Sequence, residues 1–260
     1  MFILRFFAGP IVERISPLGL LFASGILGAS GLTLLSFADS LIFCVIAATV
    51  YALGKTFLWP TMLAVVSEQF PKGGAITIGA IGGVGMLSAG LLGGPGIGFQ
   101  QDKYASEKLQ ETNAAIYERY KAPGENEFLI FKTNGLDGAK VGVLNDKGQG
   151  DAKEAIKALK VLKDTNATAD SIANQQKLVD WWKGAEKTAK DDAPLVTDAS
   201  LHGSRMALRL TAAVPACMAV LYLLMIFYFK SKGGYKAQEI HSAHEEGERM
   251  SGGIEGPAEF

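Results

Sequence analysis

A lysine stands in the middle of a long apolar run. Residues 40–70 read SLIFCVIAATVYALGKTFLWPTMLAVVSEQF, and Lys55 is the only charge before Glu68. A charge at bilayer depth costs roughly 3 kcal/mol or more, so such a residue is by default a candidate functional site. It would contact an anionic or hydroxyl-bearing solute, or pair with a carboxylate. No Asp or Glu lies deep in the apolar runs of this chain to serve as that partner. Snorkelling in a tilted helix is the competing reading. It is hard from this depth, because a lysine stem reaches only about one helical turn. Trp59 either packs, rests at a membrane interface, or forms a wall of a solute cavity. Pro60 removes a backbone hydrogen bond and should kink the helix, which membranes tolerate where the freed carbonyl faces protein or a cavity.

Four apolar segments, 17–37, 40–66, 75–99 and 206–229, must position these residues. Each is close to or above the ~20 residues that a helix needs to span a bilayer. The first is small-sided through Ser24, Gly25, Gly28, Ala29 and Gly31, so that another helix can come close. Asp39 or Ser40 is placed to cap the second. The third carries Gly79, Gly83, Gly90 and Gly94 along one face, a pattern for tight packing or for sliding against a partner. Gly93-Gly94-Pro95-Gly96 should weaken or bend its last turns. In the fourth, Arg209 can snorkel and Pro215 can kink the helix.

The bulk averages hide this pattern. Charged residues are 20%, net charge is −1 and mean hydropathy is +0.20. They average a nearly uncharged region, 1–101, with a densely charged one, 102–205. No basic groove or nucleic-acid motif is present. Cys44 and Cys217 fall inside apolar spans, read as small buried side chains without metal-ligand spacing. His202, His241 and His244 lie outside the spans. No catalytic cluster, cofactor motif or metal site is expected, and residues 1–7 are too short for a signal peptide.

The insert 102–205 reads as a soluble mixed α/β region. Residues 101–120, 151–164 and 171–190 suit helices. FLIFK and KVGVL suit a strand pair, with Asn134-Gly135 and Asp137-Gly138 as turns. Residues 194–200 suit a linker, and the tail, 230–260, has from His241 the composition of a disordered segment. Lys and Arg placement puts both ends in the cytoplasm and the insert outside, although Lys103, Lys108, Arg205 and Arg209 oppose it.

Residues 5–18, RFFAGPIVERISPL, carry a further pattern. They resemble the cytoplasmic loop of the major facilitator superfamily, G-x-x-x-D/E-R-x-G, through Gly9, Glu13 and Arg14. Ser16 stands where the second glycine is expected. KTFLWP and the Gly-rich helix after it are similar to the sugar-porter-like branch. The resemblance covers everything except the insert and tail. It implies an all-α membrane protein: the C-terminal part of a transporter, about helices 8 to 12, with a partial helix at 1–8 and the insert between the last two helices. The implied activity is secondary active transport of a small polar, sugar-like solute by alternating access, coupled to protons or sodium ions. Lys55, Thr56 and Trp59 would then line the pathway. The partners would be the lipid bilayer of the cell (inner) membrane and the N-terminal half, absent from this chain. The alternative is a four-helix membrane anchor presenting an extracytoplasmic binding or sensory domain.

Overall fold

A computed structural model describes residues 14–144, 152–165 and 167–237. The expected partial helix at 1–8, Gly9, Glu13, His241, His244 and the tail from residue 238 lie outside them. The described chain is helical almost throughout. Helix α1 spans Pro17–Ser36 and α2 spans Leu41–Gln69. A 3₁₀ turn, Pro71–Gly73, leads into α3, Gly74–Ser88. One π-helical turn, Ala89–Gly93, joins α3 to α4, Gly94–Thr112. Then follow α5 (Ala114–Tyr120), β1 (Asn126–Phe128), β2 (Phe131–Thr133) and α6 (Gly138–Leu144). The last helices are α7 (Lys153–Asp164), α8 (Ala169–Thr211) and α9 (Ala213–Ser231). Four stretches are long and apolar enough to cross a membrane, Pro17–Ser36, Leu41–Gln69, Pro71–Thr112 and Ala169–Ser231.

The chain folds into two compact units. The first takes its described residues from Met1–Gly28, Val50–Leu87 and Pro215–Phe260. Its helices meet through glycine. A Cβ on Gly54 would lie 2.5 Å from the Gly28 nitrogen and 2.8 Å from the Ser24 carbonyl oxygen, where backbone cannot yield. A Cβ on Gly25 would lie 2.9 Å from that of Ala219. Leu18, Leu21 and Val65 are buried together, flanked by Leu58, Met62 and Tyr222. Beyond α9, the Tyr235 hydroxyl donates to Glu68 Oε2 at 2.6 Å, and Gln69 Nε2 donates to the Lys236 carbonyl at 2.9 Å. Burial, then the bond to Glu68, pushes the Tyr235 phenol up to about 12.

The second unit takes Ala29–Thr49 and Ser88–Val214. Its core is a water-soluble one, built on Leu109, Tyr120, Leu144, Trp182 and Val196. α4 and α8 approach at Gly203, where a Cβ would collide with the Gln101 carbonyl oxygen. Asp192 of α8 is buried, and Arg119 grips it with Nε at 3.0 Å from Oδ2 and Nη2 at 2.7 Å from Oδ1. The Tyr120 hydroxyl donates to the same carboxylate at 3.3 Å. Burial and this carboxylate both push the Tyr120 phenol up. Two arginines one helical turn apart hold the α1–α2 connection. Arg205 Nη2 lies 2.5 Å from Asp39 Oδ1 and 3.1 Å from the Ala38 carbonyl. Arg209 Nε donates to Ser36 Oγ at 3.1 Å while its guanidinium covers the Phe37 ring. Ser40 Oγ accepts from the Phe43 N–H at 3.3 Å, the expected cap.

Several expectations for the insert are corrected. FLIFK is not one strand. It folds back on itself, pairing Phe128 with Phe131 and Glu127 with Lys132, with Leu129 at φ +57° in the turn. KVGVL is helical, because Asp137 acts as a cap rather than a turn residue, its Oδ1 accepting from Ala139 N at 3.0 Å. Its Val143 and Leu144 then enter the core. The expected linker at 194–200 lies inside α8, where burial of Val196 and Ala199 outweighs the bond that Pro194 forfeits. The helix of the third span does not stop at residue 99 but runs on to Thr112, and the π turn falls just before Gly94-Pro95. The last span breaks at Ala212, three residues before Pro215, whose missing N–H cannot close that turn. Cys44 and Cys217 are free and exposed rather than buried, because these spans bury little of their own surface within the chain.

Candidate functional site

The first unit contains Lys55, and α2 gives it two different sides. Gly54, Thr56, Phe57, Thr61 and Val65 are buried. Lys55 and Trp59, four residues apart, are exposed on the other side, with Tyr51 one turn earlier half-buried beside them. Lys55 Nζ lies 5.9 Å from the centre of the Tyr51 ring. The Trp59 ring rests on α3 at Gly85, where a Cβ would stand 2.8 Å from Cη2. Any larger residue at 85 would push the indole away. Among the described residues no carboxylate lies within ion-pair distance of Lys55.

Thr56 is placed elsewhere. It is fully buried and its hydroxyl donates to the Ala52 carbonyl at 2.7 Å. That bond occupies the hydroxyl's proton and turns it away from Lys55 and Trp59. Pro60 lies inside α2 and has no N–H for the Thr56 carbonyl, so the backbone is loosened one turn from Lys55. The arrangement is therefore a cation over the Tyr51 ring, one turn before Trp59, on a helix weakened at the same level. Such a group binds anions and hydroxyls by donation while the rings offer flat apolar faces.

The Arg14 end of the motif loop is helical and closes at Ser16. Ser16 has φ +62°, the left-handed region that favours glycine, and its Oγ accepts from the Gly19 N–H at 3.2 Å. The serine thus stands at a glycine-like backbone position and caps α1 as well. Among the described residues, Gly79, Gly83, Gly90 and Gly94 meet no other element, since a Cβ built at each finds no atom of one within 4 Å. Among the described residues, one helix closes on another most tightly at Gly25, Gly54, Gly85 and Gly203. Of these only Gly25 belongs to a small-residue stripe legible in the sequence. Tyr51 was also missed, although its spacing of four from Lys55 is the signal that would find it. Among the described residues no cluster of His, Cys, Asp and Glu could hold a metal ion.

No protein-family model, no curated protein and no solved structure matches this chain.

Proposed function

We propose that this chain is the C-terminal part of a secondary active transporter of the major facilitator type, moving a small polar solute by alternating access. The observation that carries the reading is Lys55, an exposed cation between Tyr51 and Trp59 in the middle of a 29-residue apolar helix. A bare ammonium on a helix surface is expensive in lipid, so a polar cavity or a counter-ion must face it. Two further features support the reading. Ser16 has the backbone conformation of the glycine that the family's loop calls for. Among the described residues nothing covers Gly79 and Gly83 of α3, as expected of a face that docks the other half of a transporter. In this reading the N-terminal half supplies the carboxylate that Lys55 lacks. The protein lies in the cell membrane with both ends cytoplasmic and residues 102–205 outside.

A second reading, a membrane anchor presenting a folded domain, draws on the independent aromatic core of the second unit. Uptake separates the two. Cells expressing the complete gene product are given radiolabelled neutral monosaccharides and sugar acids. Lys55→Ala and Lys55→Gln should abolish uptake with unchanged membrane levels. Uptake that survives both substitutions removes Lys55 from the pathway, and absence of uptake in the parent moves the anchor reading ahead.

A further inference from the structure

The hairpin β1–β2 carries the most apolar exposed surface of the charged insert. Leu129 is 72% exposed, Ile130 86% and Phe131 56%. These three residues sit at the tip. The base is polar: Lys132 pairs with Glu127 across the hairpin and with Glu125 at 3.9 Å. Leu129 adopts φ +57°, a conformation uncommon for a side chain of its size.

The hairpin runs alongside α4. At its base, Asn126 Nδ2 donates to Asp102 Oδ2 at 2.6 Å, and a Cβ on Gly135 would lie 2.8 Å from the Asp102 Cβ. Two residues further along β1, Phe128 stands over Gly96, where a Cβ would come within 3.0 Å of the ring. Phe99 lies between these levels, 6.0 Å from the Phe128 ring and 6.5 Å from that of Phe131. Asp102 to Gly96 is about 9 Å along a helix, and Asn126 to Phe128 about 7 Å along a strand. The hairpin therefore points back along α4, away from Asp102 and toward the apolar stretch that precedes it. No charge occurs between Lys72 and Asp102. Asp102 is the first charge after that apolar run, and the tip reaches back beside the run.

We propose that the β1–β2 hairpin is an interfacial membrane anchor, whose tip at Leu129, Ile130 and Phe131 enters the headgroup and acyl-chain boundary beside α4. The occupant of the exposed apolar tip is lipid. Its depth below Asp102, roughly 10 Å, matches the insertion of interfacial apolar segments. The Glu127–Lys132 pair stays at the wet level, as charge does when an apolar tip dips into lipid. The anchor ties the insert to the bilayer at the first turns of α4 and is independent of any transport activity.

The test is site-directed spin labelling of the full chain in phosphatidylcholine vesicles. Cys44 and Cys217 are replaced by Ser, and Ile130→Cys is labelled. Leu91→Cys serves as a lipid reference and Glu125→Cys as a water reference. Collision with oxygen and with a water-soluble nickel chelate is measured at each site. The label at 130 should fall between those at 91 and 125, with oxygen access above nickel access. A label at 130 as nickel-accessible as that at 125 would place the tip in water and overturn the anchor. A label shielded from both reagents would mean protein covers the tip, which also overturns it.

Discussion

The two compact units are both helical, yet they cohere by opposite means. In the first, helices come together where side chains are missing: Gly54 meets the backbone at Ser24 and Gly28, and Gly25 meets Ala219. In the second, the centre is filled by large side chains, Tyr120, Leu144 and Trp182, with one buried ion pair. The difference follows from the solvent each sequence suits. Lipid offers helices no hydrophobic gain on association, so close backbone approach and dispersion must hold them. Water rewards burial of large apolar groups. Enlarging a residue should therefore damage the first unit, and shrinking one should damage the second.

The largest expected effect is at Trp182, 5% exposed in the core of the second unit. Trp182→Ala should cost about 3–5 kcal/mol, read as a lowered unfolding midpoint of the purified protein in detergent. A small cost would mean this core is not what holds the unit together.

The Arg119–Asp192 pair should give an asymmetric result. The Asp192 side chain is 3% exposed and that of Arg119 39%. Arg119→Ala strands a buried carboxylate and should cost about 3 kcal/mol. Asp192→Asn leaves an arginine that water can reach and should cost about 1 kcal/mol. Equal costs would show that the pair is not buried on one side only.

Gly54→Ala is the mirror experiment in the first unit. One added methyl should cost about 1–3 kcal/mol, because its neighbours are backbone atoms. Gly83→Ala, on the open face of α3, should leave thermal stability of the chain unchanged. If Gly83→Ala destabilised the chain as much as Gly54→Ala, the distinction between closed and open glycine faces would fail.

The helical character and the four long apolar stretches were legible in the sequence, because uninterrupted apolar runs have one efficient structure in lipid. The insert was less legible for physical reasons. FLIFK has strand-forming residues, but nothing local marks that it turns at Leu129-Ile130. Asp137-Gly138 is equally a turn signal and a helix start, and only the core packing of Val143 and Leu144 decides between them. Pro194 looked like a breaker because the burial of Val196 and Ala199, which keeps α8 intact, is a tertiary fact. At the candidate site, Lys55, Trp59 and Pro60 were visible by type. That the Thr56 hydroxyl is taken up by its own helix is a fact of the fold, and Gly85 has meaning only once Trp59 is seen lying on it.

The central claim is that Lys55 faces a polar path through an otherwise apolar helix. The most direct measurement is aqueous reactivity at position 55. Cys44 and Cys217 are replaced by Ser, and Lys55→Cys and Val45→Cys are made in the complete gene product. Each is exposed to a charged, membrane-impermeant thiol reagent. Position 55 should react many times faster than position 45, which is 58% exposed in the same apolar helix. Equal, slow reaction at both positions would place Lys55 against lipid and contradict the pathway.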